Sequence, residues 1–100
     1  MDILTIDAGG THIKVKASGE AESRSVDSGP QMTAADMVAA VKKLTADWKY
    51  DVISLGFPGP VAHDAPLKEP ANLGKGWVGF DFAAALGHPT KIVNDAAMQA

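Results

Sequence analysis

Two short β-branched runs, Ile3 to Ile6 and Ile13 to Ala17, are separated only by "DAGGTH", and so few residues leave room for a hairpin and little else. In the second run Ile13, Val15 and Ala17 alternate with Lys14, Lys16 and Ser18, the period of a strand with one face buried. The chain therefore opens as an antiparallel pair joined by a glycine turn. Gly19 begins a polar stretch, Glu20 to Val26, that reads as a third strand on a sheet edge, where its charges discourage further pairing.

Beyond this meander the pattern changes to alternating helix and strand. "DSGPQ" is a loop, and Thr33 with Asp36 forms a capping signature ahead of Met37, Val41, Leu44 and Trp48 at helical spacing, with Lys42 and Lys43 on the solvated side. Val52 to Phe57 is a buried-type strand stopped by Pro58-Gly-Pro60, because proline cannot extend a ladder. A long loop runs from Val61 to about Gly76. "FDFAAALG" is a short helix capped by Asp81 and ended by Gly87, and "KIVNDAAMQA" is a strand passing into a helix after Asp95. The order β-β-β-α-β-α-β-α predicts an α/β layer with a mixed five-stranded sheet.

One hundred residues suffice for one modest core and not for two lobes around a cleft, so the chain is read as a single lobe, 1–100. The net charge of −3 without a basic stripe argues against nucleic acid as a partner. The absence of cysteine excludes disulfides, thiolate metal sites and a cysteine nucleophile, and fits a cytoplasmic setting. No apolar run approaches the roughly 18 residues of a membrane span. His12, His63 and His88 lack ligand spacing, "GKGWVG" follows a loop instead of a strand, and no G-x-x-x-x-G-K-S/T occurs.

If the first, fourth and fifth strands run parallel, "DAGGT", "GFPGP" and "NDA" all fall at carboxyl ends, where open α/β sheets bind ligands. Gly9 and Gly10 let backbone N–H groups approach a phosphate and Thr11 adds a hydroxyl, although a plain hairpin turn needing positive φ would also use them. Asp7 beside such a cradle calls for a magnesium ion between carboxylate and phosphate. Asp95 is either a helix cap or a general base for a bound hydroxyl, and Asn94 suits a neighbouring sugar hydroxyl.

"IDAGGTHIKV", "GFPGPV", "ANLGKGW" and "IVNDAAMQA" together resemble the N-terminal lobe of ROK-family sugar kinases, within the actin, Hsp70 and hexokinase superfamily of ribonuclease H-like folds. The similarity is greatest to the glucokinase branch that includes polyphosphate glucokinases. It implies a five-stranded sheet of order 3-2-1-4-5 with helices on both faces, and a C-terminal lobe absent from these residues. It further implies that Asp7, Gly9, Gly10 and Thr11 hold the phosphates and Mg2+ of ATP or polyphosphate. Asp95 is implied as catalytic base, Asn94 and Asn72 as sugar contacts, Gly59 and Pro60 as the wall of the sugar pocket, and Lys14 as a phosphate contact, or else a solvated strand lysine. The implied partners are a hexose, a phosphoryl donor and a second copy in a homo-oligomer, such as a homodimer. The lobe alone is expected to be inactive. Other outcomes to weigh are a non-catalytic ROK-type sugar sensor and a free-standing half-fold that pairs with itself.

Overall fold

The computed structural model describes residues 1–63 and 65–94. Strands β1 (Ile3–Ala8) and β2 (His12–Ala17) form the expected hairpin, in the register Leu4 to Ala17, Ile6 to Val15 and Ala8 to Ile13. β3 (Arg24–Asp27) pairs antiparallel with β2. It is shorter than the expected Glu20 to Val26, because β2 offers partners only from His12 opposite Asp27 to Val15 opposite Arg24.

Helix α1 (Ala34–Leu44) carries the predicted cap, with Thr33 Oγ1 accepting from the Asp36 N–H and Asp36 Oδ2 accepting from the Thr33 N–H, both at 3.2 Å. It stops at Leu44, so Trp48 lies past its end instead of on its stripe. The cause is local: the Thr45 hydroxyl donates to the Val41 carbonyl (2.9 Å) and Arg24 donates to that of Leu44 (2.7 Å), satisfying the last turn. Trp48 is buried nonetheless, with the Arg24 guanidinium 4.3 Å above its ring.

β4 (Val52–Phe57) pairs parallel with β1, and β7 (Thr90–Asn94) pairs parallel with β4. Between them lie a two-residue hairpin, β5 (Val61–Ala62) with β6 (Ala65–Pro66), and α2 (Phe82–Leu86). The small hairpin falls in the stretch expected to be loop, since strands of two residues give no readable periodicity. α2 begins at Asp81, whose carboxylate accepts from the Ala84 N–H (3.1 Å), and ends at Gly87 in the left-handed region, φ 77°. The main sheet has the order β3-β2-β1-β4-β7, the 3-2-1-4-5 order of the ribonuclease H-like, actin-like lobe once the small hairpin is set aside.

Alternation decides which face is covered. Leu4, Ile6, Ala8, Ile13, Val15, Ala17, Ile53, Leu55, Phe57 and Ile92 are buried in one cluster with Met37 and Val41 of α1 and Phe82 and Leu86 of α2. Each large side chain so buried contributes about 1.5–3 kcal/mol. The alternate residues Ile3, Lys14 and Lys16 are exposed and Thr5 and Asp7 half-buried. Both described helices thus contribute to the same core. The further helix expected after Asp95, on which the two-faced arrangement depends, lies outside the described residues. Trp77 is wholly buried between Phe57 and Phe82, with ring centroids 5.8 and 5.9 Å away.

Candidate functional site

Parallel pairing sets the carboxyl ends of β1, β4 and β7 side by side: Asp7 is in register with Gly56, Gly56 with Val93, and Phe57 with Asn94. The segments "DAGGT" and "GFPGP" therefore share one sheet edge with Asn94, the first residue of "NDA" and the only one of that segment among the described residues.

The turn between β1 and β2 is built differently from the simple alternative. Among the glycines of the described residues positive φ occurs at Gly19, Gly76, Gly79 and Gly87, and neither Gly9 nor Gly10 is among them. These two glycines answer to space. A Cβ on Gly9 would stand 3.0 Å from the His12 carbonyl oxygen, and one on Gly10 would stand 2.6 Å from Cβ of Asn72. The Gly9 N–H is committed to the His12 carbonyl (3.0 Å), which removes it as a donor to a ligand, and the Ser28 hydroxyl donates to the Gly9 carbonyl (2.6 Å). The Gly10 and Thr11 N–H groups stand outside this set of bonds. Ser28 was not legible as part of the site, because a serine in a loop of small polar residues carries no signal of its own.

Thr11 Oγ1 lies 3.1 Å from Nδ1 of His12, whose Nε2 is 3.4 Å from an Asp27 carboxylate oxygen. Gly10, Thr11 and Asn72 line a cavity of about 490 Å³ together with Pro30 and Ala71. Asp7 does not line it. Its half-buried side chain sits opposite Lys14 on the sheet face turned away from the core, in a depression of about 330 Å³ that also includes Thr5, Lys16 and Ser23.

On the β4 side, Asn94 Nδ2 donates to the Gly59 carbonyl (2.5 Å), tying the end of β7 to the proline turn. The Gly59 N–H donates to the Phe57 carbonyl (2.9 Å), and a Cβ on Gly59 would meet the Phe57 ring at 2.9 Å. The Pro60 carbonyl accepts from the Leu67 N–H (2.9 Å), which anchors the small hairpin. Structure thus joins Gly10, Thr11 and Asn72 in one place, Asn94 and Gly59 in another and Asp7 with Lys14 in a third, all along one edge. Asp95 follows Asn94 directly and lies outside the described residues.

No helix among the described residues is long and apolar enough to cross a membrane. No family model and no curated protein sequence matches the chain. Solved structures do. A Listeria monocytogenes protein described as an N-acetylmannosamine kinase candidate superposes with a TM-score of 0.75 at 25% identity, over 96% of this chain and 36% of that one. A ROK-family glucokinase from Streptomyces griseus, in complex with glucose and AMPPNP, gives 0.74 at 22% identity, over 96% and 34%. A ROK hexokinase from Thermus thermophilus gives 0.69 at 24% identity, over 96% and 36%. The chain has the fold of one lobe of these sugar kinases and spans about a third of their length.

Proposed function

We propose that this chain is the N-terminal lobe of a hexokinase-type sugar kinase that moves a phosphoryl group from ATP or polyphosphate to the 6-hydroxyl of glucose or a related hexose. The observation that carries the proposal is the gathering of three strand ends on one edge, where the glycine turn packs directly on Asn72, within a fold shared with sugar kinases. Phosphoryl transfer asks a protein mainly to position donor and acceptor and to offset charge.

In this reading Gly10 and Thr11 present N–H and hydroxyl donors to the phosphates, and Gly9 shapes the turn that aims them. Asn72, Asn94 and the wall made by Gly59 and Pro60 face the sugar. Asp95 accepts the proton of the sugar hydroxyl as its oxygen forms the new bond to phosphorus and the donor's bridging oxygen leaves with its electron pair. Magnesium takes one or two carboxylates together with phosphate oxygens and waters, and a half-buried Asp7 near a glycine turn fits that donor set. When bound, the ion offsets phosphate charge. Lys14, exposed opposite Asp7, is placed to add to that attraction. A single lobe offers one wall of a cleft, so transfer is expected only with the opposing lobe present.

The test is a phosphotransfer assay on the protein that includes this lobe, with ATP and polyphosphate as donors and a panel of hexoses, comparing wild type with Asp95→Asn. Loss of turnover by about 100-fold or more in the variant is the expected result. Unchanged turnover would remove Asp95 from the chemistry, and no phosphorylated hexose with any donor would overturn the kinase reading in favour of sugar sensing.

A further inference from the structure

The loop between Leu67 and Phe80 has neither helix nor strand, yet it carries Asn72 to a fixed place against Gly10. Something other than secondary structure must hold it there, since a loop of this length is otherwise free to sample many conformations. The Glu69 carboxylate supplies a closure. Oε1 accepts from the Trp77 N–H (2.9 Å) and Oε2 from the Val78 N–H (3.2 Å), so one side chain pins both ends of the segment. Lys68 and Lys75 belong to the same loop, but the ion pairs among the described residues are His12 with Asp27 and Arg24 with Asp47. Glu69 uses both oxygens on backbone, which fits a structural clamp better than a solvated surface charge.

The clamp is backed from below. Trp77 is wholly buried, its indole N–H reaches the Met32 carbonyl at 3.4 Å, and the Gly74 N–H donates to that same carbonyl at 2.6 Å. The pinned segment therefore rests on the chain just before α1 at one side and on the glycine turn at the other. Asn72 lies between these supports.

We infer that Glu69 is a positioning residue for the acceptor side of the site: by closing the segment 69–78 it sets Asn72 against Gly10 and so fixes the spacing between sugar contact and phosphate turn. The inference rests on the reading of Asn72 as a sugar contact for its consequence in binding, and on geometry alone for the closure itself. The two parts fail separately.

The experiment uses the 100-residue chain labelled with 15N and 13C, as wild type, Glu69→Gln, Glu69→Ala and Asn72→Ala, with circular dichroism to establish that each is folded. Amide exchange at Trp77 and Val78 and the nuclear Overhauser contact between Asn72 and Gly10 are read first in this chain, followed by glucose titration of the protein that includes the opposing lobe, as wild type and with the same substitutions. In Glu69→Ala the exchange is expected to speed by about 10-fold or more and the Asn72 contact to disappear, as for loss of hydrogen bonds to a charged group. Glu69→Gln keeps one accepting oxygen and restores part of both, which also serves if the alanine variant does not fold. Glucose affinity is expected to fall in Glu69→Ala to the level of Asn72→Ala. An intact Asn72 contact in folded Glu69→Ala would overturn the inference. Loss of that contact with no glucose binding by wild type would leave the clamp standing and count against the sugar reading.

Discussion

Gly74→Ala tests the support beneath the clamp. A Cβ at this position would lie 2.7 Å from both the carbonyl carbon and the oxygen of Met32, and 2.9 Å from the Gln31 carbonyl carbon. These are backbone atoms, and the Met32 oxygen is also the acceptor for the Gly74 N–H and the Trp77 indole. To restore ordinary contact the two segments must part by about 0.7 Å, a backbone shift of the kind that costs about 1–3 kcal/mol. Stretching the Gly74 hydrogen bond adds to this, and the lower entropy of an unfolded chain with alanine offsets about 0.4–1 kcal/mol. Gly29→Ala is the matched control, since nothing lies within 4 Å of its Cβ and its φ is outside the left-handed region. Urea unfolding followed by tryptophan fluorescence should place the two variants roughly 2 kcal/mol apart, or about 10 °C in melting temperature for a domain of this size. Equal midpoints for Gly74→Ala and Gly29→Ala would refute the argument that close packing, not conformation, requires glycine at 74.

The other expectations concern the frame around the site. Thr33→Ala removes one half of a reciprocal cap and should cost about 0.5–2 kcal/mol in urea, with Thr33→Ser restoring most of it. Arg24 donates to both Asp47 oxygens, at 2.6 and 3.0 Å, and this hydrogen bonding, ahead of hydrogen bonding with the Asp47 backbone, holds the Asp47 carboxyl below its ordinary value. A lowered carboxyl value means that the stabilisation is fully present above the ordinary carboxylate range and is lost as pH falls through the lowered value. Stability measured from pH 7 down to pH 2 should therefore decline less steeply in the acid limb for Arg24→Gln than for wild type. Both side chains are accessible to solvent, so the difference should be small and should shrink further in salt.

Local signals carried most of the fold. The alternation in Ile13 to Ala17, the Thr33 and Asp36 pair, the proline stop after Phe57 and the Gly87 terminus each describe a few neighbouring residues, and each appears where the pattern places it. The exception is instructive. Trp48 continues the spacing of Met37, Val41 and Leu44, but the helix ends first because Thr45 and Arg24 satisfy its carbonyls, and Arg24 comes from a strand remote in sequence. Periodicity cannot register a partner that arrives from another element.

The same distinction separates what the sequence by itself determined from what only the tertiary structure decided. Sequence determined the elements and most of their ends, because alternation, caps and chain breaks are local, while the order β3-β2-β1-β4-β7 and the parallel pairing that sets Asp7, Gly56 and Asn94 at one edge are decided by pairing between distant segments. Tertiary structure decided what the glycines are for. Gly9 and Gly10 have ordinary φ and are small so that His12 and Asn72 can approach, a requirement visible only once the loop from Leu67 to Phe80 is folded back onto the turn. It also assigned Glu69, whose two partners lie eight and nine residues away and are backbone groups common to every sequence. Contacts made by loop closure depend on where both ends are held, and no periodicity in the chain records that.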